Sequence, residues 1–329
     1  MVKEIEFSLN PIVNLVLHVL CCADPTFPRK PVYDVKAEEW LLPEERRFFE
    51  KSFKLEQTGK ISTTAHFGAL LQVPAYFASD SIDSLTGTLQ AMVETGLEGL
   101  KKKFPEKGAL VDAYMPERLQ RRIFGEPILS ESAETMTQYA EILDDVYGRH
   151  YRSYWSTIVP EMEDATKTLV EEHVEDYDVI ALWEEETQLE FPYPRFVVEL
   201  ADPIKTLGTS LMAERAAFSS WVPKAKIFGM VSHEVGTHIF TQAQTLEEGP
   251  LRRAFEQDAE KILRIGEALA YLMNLKIWRD TGKSLGYSGG FKAAFGEEIQ
   301  SLKGRWGEWE RGALSTTDLI NKTYERMNN

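Results

Sequence analysis

The sequence predicts a mainly α-helical fold of the α+β kind, with a small β-sheet late in the chain and directly before a histidine-bearing helix. Three observations predict it. Through the first half, apolar residues recur at helical spacing. Between Arg195 and Phe218 the texture changes to β-branched and aromatic residues set off by prolines and glycine. From Ile227 to Phe240 an apolar run resumes helical character. A helical N-terminal region, 1–177, followed by a second unit, 178–329, is the expected organisation, with one continuous domain as the alternative. Of the 329 residues 43% are hydrophobic and 11% aromatic, enough for a sizeable core either way.

The N-terminus needs one exclusion first. Pro11 to Cys22 is apolar enough to suggest a secretory leader, but Glu4 and Glu6 follow Lys3, Asn14 and His18 interrupt the run, and no small-x-small cleavage site is present. The expectation is a core helix, with Asn10 as N-cap and Pro11 at its first position. Cys21 and Cys22 are the only cysteines and, being adjacent, are unsuited to pair with each other. Buried reduced thiols and a cytoplasmic location are expected. No stretch reaches the roughly 18 to 20 apolar residues needed to span a bilayer.

Amphipathic helices are then expected over Lys36–Leu55 and Ser81–Phe104, flanking a mixed stretch, Thr63–Tyr76, in which the lone His66 reads as packing or surface. Ser130–Ile158 follows, with Met136, Tyr139, Leu143, Val146, His150 and Tyr154 on one stripe. Pro160 should interrupt it, leaving Glu161–Asp176 as a separate acidic helix that carries His173. A helix over Ile180–Phe191 stops at Pro192 and Pro194. Strands are expected at Arg195–Leu200 and Thr209–Phe218. Ser219 or Ser220 should cap the next helix, with Pro223 in its first turn. After the break at Gly249-Pro250 one long helix, Leu251–Asp280, is predicted, and Phe291–Trp309 and Thr316–Met327 close the chain.

A formal net charge of −15 argues against nucleic acid or an anionic membrane as the main partner. The chain has no phosphate-binding glycine loop, and no G-x-S-x-G elbow for a serine hydrolase.

What remains is Ser232-His233-Glu234-Val235-Gly236-Thr237-His238. Of six histidines in the chain, only these two lie close together. Neutral imidazoles are common zinc ligands, and a carboxylate beside the first suits the base that deprotonates a metal-activated water. The familiar spacing is H-E-x-x-H, whereas here the histidines are five apart, which on a regular α-helix turns them roughly 140° away from each other. One extra residue taken up as a π-bulge would bring them back together, and Gly236 is the expected place for it.

His-Glu-Val-Gly-Thr-His resembles the H-E-x-x-x-H signature of the microtubule-associated tyrosine carboxypeptidases and their relatives, a branch of the gluzincin-type zinc metallopeptidases. The resemblance implies His233 and His238 as zinc ligands and Glu234 as catalytic base. It also implies a third ligand on a following helix. Glu267, in Ile265-Gly266-Glu267-Ala268-Leu269-Ala270, is the best match to the family's Glu-Gly-Leu-Ala stretch, with the small residue displaced. Nothing in the N-terminal half carries the resemblance. A small sheet just before such a helix is the zincin-like arrangement, whose edge strand pairs with an extended substrate backbone. The acidic net charge argues against acidic tubulin tails as the substrate here.

Glu267 also stands out by its neighbours, since a carboxylate among apolar residues needs a partner, either a metal or an arginine such as Arg264. Glu260 and Glu247 are reserve ligands. No histidine follows His238, so an oxyanion donor would be a tyrosine or arginine, with Tyr271 and Tyr287 as candidates. The expected activity is zinc-dependent hydrolysis of a peptide or protein substrate, with exo- and endo-cleavage both open. The alternative is a catalytically silent helical binding or scaffold protein with a structural histidine pair or metal site. Glu234 discriminates, because a purely structural site has no need of it.

Overall fold

The first strand and the last three form a single sheet. The computed structural model describes residues 3–23, 31–33, 39–57, 72–114, 117, 120, 126–173, 178–204, 209–220, 224–245, 249–280 and 294–328. Strand β1 (Glu4–Ser8) was not expected, although Glu-Ile-Glu-Phe-Ser alternates as a strand should. Helix α1 (Pro11–Ala23) begins as predicted, with Asn10 Oδ1 accepting from the amides of Ile12 (2.8 Å) and Val13 (3.1 Å). It is buried from Ile12 to Cys22, and both cysteines are free.

The stretch expected to be one helix is interrupted at Leu41 and Leu42, and helix α2 (Pro43–Gln57) begins at Pro43, which favours a first-turn position. The short α3 (Val73–Phe77) precedes α4 (Ile82–Lys103), which Ser81 caps and Gly96 kinks with a φ of 66°. Next come α5 (Pro105–Tyr114) and α6 (Glu126–Val146). His66 lies outside the described residues.

Two expectations fail after α6. A π turn, Tyr147–Tyr151, joins it to α7 (Arg152–His173). The wider winding shifts the phase of the stripe, so Tyr151 rather than His150 enters the core. Pro160 does not interrupt α7 but lies within it. Pro160 and Ser156, whose carbonyl loses its partner, are both exposed, so water can take over the missing bond.

Helix α8 (Val179–Thr187) ends at Gln188, which adopts the left-handed conformation (φ 57°). β2 (Arg195–Ala201) is the predicted strand. The second predicted strand is a hairpin, β3 (Thr209–Met212) and β4 (Arg215–Ser219), turning at Ala213 and Glu214. The sheet order is β1-β2-β4-β3, with β1, β2 and β4 parallel and β3 antiparallel at the edge. β2 is central and buried on both faces, and its Glu199 is paired with Arg215 Nη1 at 2.8 Å. Asn14 of α1 clamps the end of β2, donating to Leu200 O (2.9 Å) and accepting from the amide of Asp202 (2.8 Å).

Helix α9 (Lys224–Thr245) carries the histidine motif. The long helix expected after it is two, α10 (Pro250–Gln257) and α11 (Ala259–Asp280), because Asp258 departs from helical geometry (φ −148°). Asp258 then caps α11, accepting from the amide of Lys261 at 3.1 Å. Helices α12 (Gly296–Lys303), α13 (Trp306–Glu310) and α14 (Thr316–Asn328) complete the chain. The fold is therefore mainly α with one small sheet, as the sequence predicts. No helix among the described residues is long and apolar enough to cross a membrane.

Candidate functional site

The site lies where α9 and α11 run antiparallel. Gln244 donates to Ile262 O (3.3 Å) towards one end of the pair, and Asn274 donates to Gly229 O (2.8 Å) towards the other. Gly266 permits this approach, since a Cβ there would stand 2.6 Å from Gln244 Nε2. Between the two ties, His233 Nε2 lies 3.0 Å from Glu267 Oε2. Two residues singled out from the sequence thus meet across two helices.

His233 is buried, whereas the Glu267 side chain is 38% exposed, so the pair opens towards solvent on its carboxylate side. The alternative arginine partner does not compete, for Arg264 pairs with Glu298 at 2.7 Å. Glu234 is partly buried beside the pair. Burial pushes its carboxyl up to about 7; the nearby Glu267 charge acts in the same direction, and His233 and the Thr237 hydroxyl oppose it.

His238 stands elsewhere on the helix. α9 is α-helical throughout, so the expected bulge at Gly236 is absent and the five-residue step leaves the rings roughly 140° apart. Gly236 has a different reason to be glycine. A Cβ there would lie 2.4 Å from Trp183 Cη2, and this buried indole of α8 is fixed by its Nε1 donating to Ser232 Oγ at 2.9 Å. His238 packs in an aromatic box, its ring centroid 5.5 Å from Tyr114, 6.0 Å from Tyr193 and 5.3 Å from Phe196. Burial lowers its pKa to about 3, so it is a neutral imidazole. Its Nδ1 is buried and has no hydrogen-bond partner among the described residues.

Tyr114 is the residue that sequence reasoning missed. It ends α5, which packs on α9, and burial raises its phenol above the ordinary range. Ser210 of edge strand β3 hydrogen-bonds it and opposes that shift, while the carboxylates of Glu234 and Glu267 reinforce it. No local motif marks such a residue, since only the fold brings α5 to the site. Tyr271, expected as a donor, is 7% exposed within the apolar core. Tyr287 and Glu247 lie outside the described residues. Glu260 is an exposed residue in the first turn of α11, among the charges that act on Arg264.

The donor types suit zinc. In a tetrahedral site the nitrogen and oxygen of neighbouring ligands stand roughly 3.3 Å apart, and His233 and Glu267 are close to that at 3.0 Å. Among the described residues, however, no three histidine, cysteine or carboxylate side chains are grouped as a metal site. His238 would complete the set only after one residue of rewinding between it and His233. Compared with known proteins, the chain matches no family model, no curated protein and no solved structure.

Proposed function

We propose that the protein is a zinc-dependent peptidase of zincin-like architecture, acting on peptide or protein substrates. The observation that carries this reading is the His233–Glu267 pair, held across α9 and α11 beside Glu234, whose carboxyl lies near neutrality. The order of elements adds support: an antiparallel edge strand, then the H-E-x-x-x-H helix, then the helix that bears the glutamate.

His233 and Glu267 would hold the ion, with His238 as the third ligand. When bound, zinc supplies a charge that acidifies water and polarises a carbonyl. Glu234 accepts the proton of the attacking water and delivers it to the leaving amine nitrogen, a transfer helped by a carboxyl that titrates near the working pH. β3 is the edge strand of the sheet, the place at which an extended substrate would pair.

Digestion of a peptide library, read by mass spectrometry, tests this. Cleavage by the wild type and its loss by about 10²- to 10⁴-fold in Glu234→Gln is the expected result. One observation favours a second reading, a silent binding protein: the regular winding that keeps His233 and His238 apart. Under that reading wild type and Glu234→Gln are equally inert.

A further inference from the structure

Two buried amides, one from each helix, tie α9 to α11 on either side of the His233–Glu267 contact. Asn274 of α11 is fully buried, and a buried amide is costly unless its polar atoms find partners. Its Oδ1 accepts from the indole Nε1 of Trp278 at 3.0 Å, and its Nδ2 donates to Gly229 O of α9 at 2.8 Å. An indole nitrogen only donates and a carbonyl only accepts, so both partners fix the same orientation of the amide. The reciprocal tie comes from α9. Gln244, 1% exposed, donates through Nε2 to Ile262 O of α11 at 3.3 Å and lies against Gly266.

The carbonyls that receive these bonds belong to the turns leading into the contact. α9 and α11 are regular α-helices, in which the carbonyl of residue i accepts from the amide of residue i+4. Gly229 O is therefore the acceptor for the amide of His233. Ile262 O is likewise the acceptor for the amide of Gly266, the residue before Glu267. Asn274 also stands seven residues after Glu267, about two turns along the same stripe of α11. Each amide thus grips the partner helix about one turn before the residue that makes the 3.0 Å contact between His233 and Glu267. Register is the sensitive quantity here. A slip of one residue moves a helix about 1.5 Å along its axis, whereas metal–ligand distances are held to within about 0.2 Å.

We infer that Asn274 and Gln244 are positioning residues that set the register of α11 against α9 and so bring Glu267 to His233. Neither touches the ion; they act through the backbone at Gly229 and Ile262. The consequence for zinc rests on the peptidase reading, and the consequence for the His233–Glu267 contact does not.

The test uses Asn274→Leu and Gln244→Met, which keep a side chain of similar shape and remove the donor. Trp278→Phe is the control, because it removes the indole bond and leaves the cross-helix one. In metal-free protein, a double-mutant cycle of His233→Ala and Glu267→Ala, read from urea unfolding, should give a coupling of about 5-fold in the unfolding constant. In the Asn274→Leu background it should fall below about 2-fold, and in the Trp278→Phe background it should stay. Zinc affinity, measured by competition with a chelator, should weaken about 10-fold in Asn274→Leu and about 3-fold in Gln244→Met. It should hold in Trp278→Phe, although that variant also loses stability. Should Asn274→Leu fail to fold, Gln244→Met carries the same comparison. A coupling and a zinc affinity that survive in both donor variants, with only stability lost, overturn the positioning role, as does a wild-type chain without coupling. A wild type that binds no zinc overturns the peptidase reading alone, and the metal-free cycle still decides the register role.

Discussion

Replacing Gly236 with alanine separates two reasons for a glycine inside α9. An added Cβ would stand 2.4, 2.6 and 2.7 Å from Cη2, Cζ2 and Cζ3 of Trp183, where carbon atoms ordinarily rest about 3.5–4.0 Å apart. The indole must therefore move by about 1 Å, yet it is fully buried and tied to Ser232 Oγ. Overpacking of this kind costs about 1–3 kcal/mol, and straining the indole hydrogen bond adds about 1 kcal/mol. Better helix propensity offsets about 1 kcal/mol. Gly236→Ala should thus destabilise by about 1–3 kcal/mol, read from the midpoint of urea unfolding at unchanged slope. In a Trp183→Phe background, where those indole atoms are gone, the same change should be neutral or stabilising by up to about 1 kcal/mol. The coupling between the sites should then be about 2 kcal/mol. If Gly236→Ala stabilises equally in both backgrounds, the packing argument is wrong.

Asn10→Ala should cost about 1 kcal/mol of stability, because two amides of α1 lose their acceptor; an unchanged melting temperature would contradict the cap. Ser232→Ala, which leaves the Trp183 N–H buried without its acceptor, should destabilise by about 1–3 kcal/mol in urea unfolding. Lys107 offers a pH signature. Burial, with the Arg215 charge next, lowers its pKa from 10.5 to about 8, while its Nζ donates to Tyr76 O at 2.7 Å. Between pH 8 and 10.5 the unfolded chain binds more protons at this site than the folded one, so its contribution to stability rises with pH across that window. Lys107→Met should remove that rise from the pH dependence of unfolding, and an identical profile in both proteins would refute the assignment.

The sequence was informative where one residue's chemistry sufficed. Asn10 and Pro11 announce α1, and Gly249-Pro250 marks the break after α9. Glu267 stands out as a carboxylate in an apolar stretch that needs a metal or an arginine as partner; in the fold its side chain is 38% exposed and meets His233. Longer-range features were hidden. β1 is five residues long and gains its meaning only from pairing with β2. The π turn at Tyr147–Tyr151 leaves no mark in the apolar spacing until the phase shift appears in the folded helix. Gly236 suggested backbone distortion, whereas its cause is a tryptophan from another helix. Tyr114 reaches the site only because α5 packs on α9 and Ser210 lies at the sheet edge.

Metal content tests the central claim most directly. Protein purified without a histidine tag or added metal, and its His233→Ala, His238→Ala and Glu267→Gln variants, would be measured by inductively coupled plasma mass spectrometry after equilibration with zinc. The peptidase reading predicts about one zinc per wild-type chain and its loss in each variant. Wild-type protein that stays metal-free, or retention of zinc when both histidines are replaced, would contradict it.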